Sequence, residues 1–146
     1  MALMRGFSIV DEEGRITIPP DIGKWAELGP GCVVCMTALR IKNTSRFPHL
    51  VIYIPSNIPY ISPMEVIMKE TYEKVGKQGR VILSEEILEE LRLKPKYIVE
   101  FKIHGARSQH WTVVHNRGPW RMTTLQQRLG TKRKEKKKWK KVAIEY

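Results

Sequence analysis

The dipeptide Gly-Arg occurs at Gly14-Arg15 and again at Gly79-Arg80, and an offset of 65 residues brings whole segments around it into register. Residues 7–19 read FSIVDEEGRITIP, and residues 72–84 read YEKVGKQGRVILS. The correspondence continues through a short helical stretch, residues 21–28 against 86–93, through Pro30 against Pro95, and into a strand, 32–38 against 97–103. A unit of this size cannot bury an adequate core alone, so two copies in one chain must pair with each other or with further copies.

Each copy carries a consistent local grammar. Phe7 and Ile9, then Ile16 and Ile18, alternate with polar residues on either side of Asp11-Glu12-Glu13-Gly14. That pattern predicts two half-buried strands joined by a turn whose glycine accepts positive φ. The segment Gly76-Lys77-Gln78-Gly79 is the same turn in the second copy. Pro19-Pro20 stops the first strand and Asp21 is placed to cap the first helix, while Ser84 followed by Glu85 and Glu86 is a better start for the second. Gly29 is the expected end of the first helix. A third hairpin then closes each unit, residues 33–40 returning as 50–54 and residues 98–103 returning as 111–115.

These signals divide the chain into copy one at 1–54, a linker at 55–68, copy two at 69–118 and a basic extension at 119–146. The linker holds Pro55, Pro59 and Pro63, and its Ile58, Tyr60 and Ile61 are free to pack onto the body. Mostly-β architecture with two short helices, an α+β chain, is the fold class implied.

Charge narrows the partner. The formal net charge is +11, and residues 128–146 hold nine Lys and Arg against two Glu. Such a balance favours a polyanion through counterion release, and nucleic acid is the commonest one. The run from Lys132 through Arg133, Lys134, Lys136, Lys137, Lys138, Trp139, Lys140 and Lys141 supplies phosphate contacts, with Trp139 able to stack on a base. The plainer reading is a solvated tail. Arg117, Trp120, Arg121 and Arg128 carry the same basic and aromatic composition upstream.

Other classes find little support. Cys32 and Cys35 lack a second ligand pair among His49, His104, His110 and His115, so both thiols are read as structural and no metal is expected. No nucleophile elbow, Lys-bearing phosphate loop or zinc helix occurs, which argues against an enzyme, a cofactor or a small-molecule substrate. No apolar run approaches membrane-spanning length, and residues 1–5 do not open a secretion signal, so a cytoplasmic protein on nucleoid or ribosome is expected.

The segment Val10-Asp11-Glu12-Glu13-Gly14-Arg15-Ile16-Thr17-Ile18-Pro19 resembles the core motif of the AbrB/SpoVT/MazE family of swapped-hairpin transcription factors. The resemblance covers residues 6–36 and, more weakly, 72–101, and is distantly like the two-copy MraZ proteins, although the Asp before the second Gly-Arg and a longer helical insertion are missing. It implies a swapped-hairpin β-barrel made by both copies as a pseudo-dimer, presenting arginines to DNA. Arg15 and Arg80 match the basic position after the turn. The basic position before the first Val-Asp falls on Ser8 and on Glu73, with Lys74 beside it, and the helical pair falls on Gly23 and Lys24, then on Leu88 and Glu89.

The expected interface is therefore Arg15, Lys24 and Arg80, with Lys74, Lys77 and Arg121 and the lysine tail on flanking phosphates. Copy one is expected to read and copy two to complete the barrel. Against this, Arg15 and Arg80 could pair with Asp11, Glu12 or Glu73 and brace their turns. DNA is preferred to RNA, and association of two chains is left open. The alternative function is a structural RNA-binding component of a ribonucleoprotein particle. An antitoxin role would need a peptide-like segment that folds on its partner, and only the basic tail could serve.

Overall fold

Both Gly-Arg turns place glycine at positive φ, 78° at Gly14 and 77° at Gly79, a conformation that a side chain would strain. Around the first turn, Asp11 N–H donates to the Arg15 carbonyl, and around the second, Gly76 N–H donates to that of Arg80. A computed structural model describes residues 4–43, 48–106 and 109–120. Copy one contributes β1 (Arg5–Ile9), β2 (Arg15–Thr17), α1 (Pro20–Ala26), β3 (Val33–Ile41) and β4 (His49–Tyr53). Copy two contributes β5 (Glu65–Lys74), a 3-10 turn at Lys77–Gly79, β6 (Arg80–Ile82), α2 (Glu85–Leu91), β7 (Tyr97–Ala106) and β8 (Gln109–Pro119). The mostly-β expectation is met.

The strands form a six-stranded antiparallel sheet in the order β1-β7-β8-β4-β3-β5 and a two-stranded ribbon, β2-β6. Exchanging the copies at the 65-residue offset leaves this order unchanged. The register is kept in the first-strand and ribbon pairings: Ile9 opposite Ile98 becomes Val33 opposite Lys74, and Arg15 opposite Ile82 becomes Thr17 opposite Arg80, whereas the β3-β4 hairpin, with Cys35 opposite Tyr53, is out of step with β7-β8, where Glu100 lies opposite His115. The first strand of each copy thus lies on the third strand of the other, and the halves are related by a pseudo-twofold axis. The ladder is open, with β1 and β5 at its edges. Ribbon and sheet are joined by packing, because β1 and β2 part at the turn and pair with different strands of copy two.

That parting corrects one expectation. Phe7 and Ile9 are not half-buried partners of Ile16 and Ile18; each is 48% exposed, whereas Ile16 and Ile18 are core residues. The inward face of β1 carries Gly6 and Ser8 instead. A Cβ on Gly6 would sit 2.7 Å from Pro19 Cγ, and Ser8 Oγ accepts the Thr17 N–H at 2.9 Å, so this crossing has no room for large side chains.

One core lies between the sheet and the two helices. It gathers Ile16, Ile18, Val81 and Leu83 from the ribbon, Ile22, Ala26, Ile87 and Leu91 from the helices, and Met36, Leu50, Ile52, Phe101 and Val114 from the sheet. Full burial of each large side chain among these contributes about 1.5–3 kcal/mol against conformational entropy. On the other sheet face, Leu39, Val51, Trp111 and Val113 form a smaller cluster covered in part by Ile61 of the linker. Ile58 and Tyr60 stay exposed, and β5 begins at Glu65, inside the segment read as linker.

The helix ends follow local chemistry, with two corrections. Asp21 does not cap α1: the cap position is Pro19, which offers no side-chain bond, and Asp21 sits in the first turn. Nor does Gly29 end that helix. Glu27 does, in the left-handed conformation at φ 63°, with Leu28 N–H donating to the Gly23 carbonyl at 2.7 Å. Ser84 caps α2 as expected, its Oγ accepting the Ile87 N–H at 3.2 Å. No helix among the described residues is long and apolar enough to cross a membrane.

Candidate nucleic-acid interface

The ribbon has two faces because strand side chains alternate. Ile16 and Val81 point into the core, so Arg15, Thr17, Arg80 and Ile82 share the outer face. Arg15, Lys74, Lys77 and Arg80 line one concavity of about 470 Å³, together with Glu73 and Ile82. Lys24, exposed on α1, lines an adjoining cavity, and Gln78 and Gly79 of the second turn border that one as well. Of the expected interface residues inside the described chain, Lys24, Lys74, Lys77 and Arg80 therefore gather around the second turn, Gly76–Gly79, and Arg15, beside the first turn, lines the same concavity as Lys74, Lys77 and Arg80. Arg121, Lys132, Arg133, Lys134, Lys136, Lys137, Lys138, Trp139, Lys140 and Lys141 lie outside the described residues, as do Arg46 and Arg107 in the strand-connecting loops.

The two arginines are not equivalent. Arg15 Nε donates to Asp11 Oδ2 at 2.8 Å and its Nη2 donates to Glu13 Oε1. Asp11 Oδ1 also accepts the backbone N–H groups of Glu13 and Arg15, at 2.9 and 2.8 Å. Burial pushes the Asp11 carboxyl up, but the hydrogen bonds from Arg15 and the Glu13 backbone outweigh it, so its pKa falls below the ordinary value. The bond to Asp11 raises the Arg15 guanidinium in turn. Arg15 is a brace of its own turn. Arg80 is exposed and forms no ion pair among the described residues, and the same holds for Lys74 and Lys77. The turn before Arg80 carries no acid at all.

The two copies thus differ in how their arginines are engaged. The acids that make copy one look like the family motif are the groups that occupy its arginine. Copy two, with a poorer motif, presents Lys74, Lys77 and Arg80, which form no ion pair among the described residues.

Two further groupings are not legible in the sequence. Glu100 is a 3% exposed carboxylate on β7 that takes Arg5 Nη1 of the edge strand at 3.0 Å and Arg117 Nη2 of β8 at 2.7 Å. A desolvated carboxylate requires such partners, so Arg117 is a structural cation rather than part of the basic extension. The only sequence signal is a Glu between Val99 and Phe101 in an apolar strand. On the sheet face away from the helices, His49 Nε2 lies 2.9 Å from Glu65 Oε2, whose other oxygen accepts the Ser62 N–H. His115 stands beside it, with ring centroids 5.8 Å apart. Burial, helped by the charges of Arg117, His49 and Lys102, lowers the His115 pKa to about 4.

Among the described residues no group of three or more His, Cys, Asp or Glu is arranged to hold a metal ion. Cys32 and Cys35 are free thiols, the second buried.

No family model matches this chain. No curated protein matches it. Among solved structures, the chain is similar to the solution structure of PHS018 from Pyrococcus horikoshii, at 18% identity and a TM-score of 0.38 over 83% of this chain and 100% of that one, a likeness too slight to carry an argument.

Proposed function

We propose that this chain binds duplex DNA as a transcriptional regulator of the AbrB type, its two copies forming a one-chain counterpart of a swapped-hairpin dimer. The observation that carries the reading is the convergence of Lys74, Lys77, Arg80 and Arg15 on one concavity beside an exposed two-stranded ribbon. A major groove admits a two-stranded antiparallel ribbon, and arginine is the side chain best shaped to grip a guanine edge or a phosphate. The exchange of first strands between copies supports a swapped-hairpin barrel, with the ribbon closing over the helices by side-chain packing. The lysine tail adds sequence-independent attraction to phosphates that would hold the protein on the nucleoid.

The test is a salt titration of the intact chain against a random-sequence duplex. The slope of log affinity on log salt should be strongly negative and should flatten by roughly 0.9 for each phosphate no longer neutralised. Lys77→Ala with Arg80→Ala should flatten it by about 1.8 on that basis. Gln in place of the lysines of the tail should flatten it further. If structured RNA outcompetes duplex at equal salt, the structural RNA-binding reading replaces this one. If Lys77 and Arg80 can be removed without effect, the ribbon is not the reader.

A further inference from the structure

The pseudo-twofold axis runs through the centre of the ribbon, where Ile16 faces Val81. It maps Lys77 onto Glu12, Gln78 onto Glu13, Lys24 onto Glu89 and Asp21 onto Glu86, since each pair is 65 residues apart. The two ends of the ribbon thus correspond in fold and differ in charge. At the second turn, Lys24, Lys74, Lys77 and Arg80 outnumber Glu73 and Asp21. At the first turn, Asp11, Glu12 and Glu13 stand beside α2, which presents Glu85, Glu86 and Glu89 to solvent. The turn and the helix segment touch: the Leu83 N–H donates to the Gly14 carbonyl at 3.0 Å, and a Cβ on Gly14 would lie 3.0 Å from Leu88 Cδ1. Arg15, beside this turn, is already paired twice.

We infer that the protein docks on nucleic acid through one end of the ribbon only, so that it takes an asymmetric, non-palindromic stretch of duplex with the second turn toward the phosphates and the first turn held off. This rests on the nucleic-acid reading above and specifies its substrate class. A duplex carries about one negative charge per 1.7 Å of axis, and charges closer than a Debye length of about 8 Å at physiological salt are poorly screened. Phosphates brought against the first turn would meet the exposed carboxylates of Glu12, Glu86 and Glu89, with Arg15 already committed to Asp11 and Glu13. Lys74, Lys77 and Arg80 offer the same phosphates three cations that form no ion pair among the described residues. The backbone symmetry that would suit a palindrome is overridden by charge, and one chain occupies one oriented site.

A photo-crosslinking benzoylphenylalanine placed at position 12 or, separately, at position 77 of the full-length chain reads the orientation directly. These positions are equivalent under the pseudo-twofold axis and both are exposed. With a random-sequence duplex of roughly two helical turns, cross-linking is expected from position 77 and much more weakly, by about an order of magnitude, from position 12. Glu86→Lys with Glu89→Lys should raise cross-linking from position 12 toward the level at 77 and steepen the salt slope by up to about 1.8, at roughly 0.9 for each additional phosphate neutralised. Comparable cross-linking from both positions in the unaltered background overturns the inference while leaving DNA binding intact. So does a position 12 that stays silent after the reversal, because charge would then not be what holds that end away. Absence of any salt-dependent duplex binding would instead remove the nucleic-acid reading, and this inference with it.

Discussion

Asp11 is the most heavily used side chain near the first turn, accepting from two backbone N–H groups and one guanidinium. Asp11→Ala leaves those donors to water and should cost about 1–2 kcal/mol in denaturant unfolding, while Arg15→Ala should cost less because the backbone bonds survive. The sign with pH follows from the lowered carboxyl. Its contribution is complete above the unfolded value of about 3.9 and is lost as pH falls through the lower folded value. His115 behaves oppositely in chemistry but alike in direction. With a folded pKa of about 4 against about 6.5 unfolded, the chain should lose stability as pH falls from about 6.5 to 4, by at most about 3 kcal/mol. His115→Gln should flatten that part of the stability curve; an unchanged curve would show that another group sets it. The brace between Arg15 and Asp11 was open to a sequence reading because the partners are four residues apart. Glu100 was not, its partners lying 95 and 17 residues away.

Elements were legible where local chemistry determines them. Turn glycines, the Ser84 cap and the strand-helix-strand order follow from short-range rules, and the 65-residue offset carries the Gly-Arg turn and the strands and helix around it from one copy to the other. Ser84→Ala should lower the melting midpoint by the equivalent of about 1 kcal/mol, and Asp21→Ala should do much less, since only the first makes a capping bond. What alternation could not reveal is the partner of each strand. Phe7 and Ile9 obey a period of two and yet face outward, because the inward side of β1 is taken by the close crossing with Pro19. Periodicity identifies a strand with two different faces; it does not say which face meets the core. The residues of the candidate interface were legible in type, and the acids Asp11 and Glu13 that shape the motif of copy one are those that engage Arg15.

At the scale of the whole molecule, the sheet is assembled from alternating contributions of both copies, and β4 against β8 joins them at its centre. Each half keeps one hairpin, β3-β4 or β7-β8, and every other strand pairing crosses between copies. Unfolding should therefore be a single transition with coincident midpoints by tryptophan fluorescence and far-ultraviolet circular dichroism. Fragments 1–64 and 65–146, cut ahead of β5, should lack the spectrum of the intact chain when apart, or pair with themselves, and regain it when mixed. Two separate transitions would mean that the copies fold as independent lobes.

The exchange of first strands also bears on how such a sequence can change over time. In a symmetric pair of identical chains every substitution is made twice, so a residue that helps at one end of the ribbon is imposed on the other. Here Lys77 has Glu12 as its counterpart, and either can drift alone. Interdigitation compels the halves to keep matching strands and the turn glycines Gly14 and Gly79, while their outer surfaces answer to separate selection.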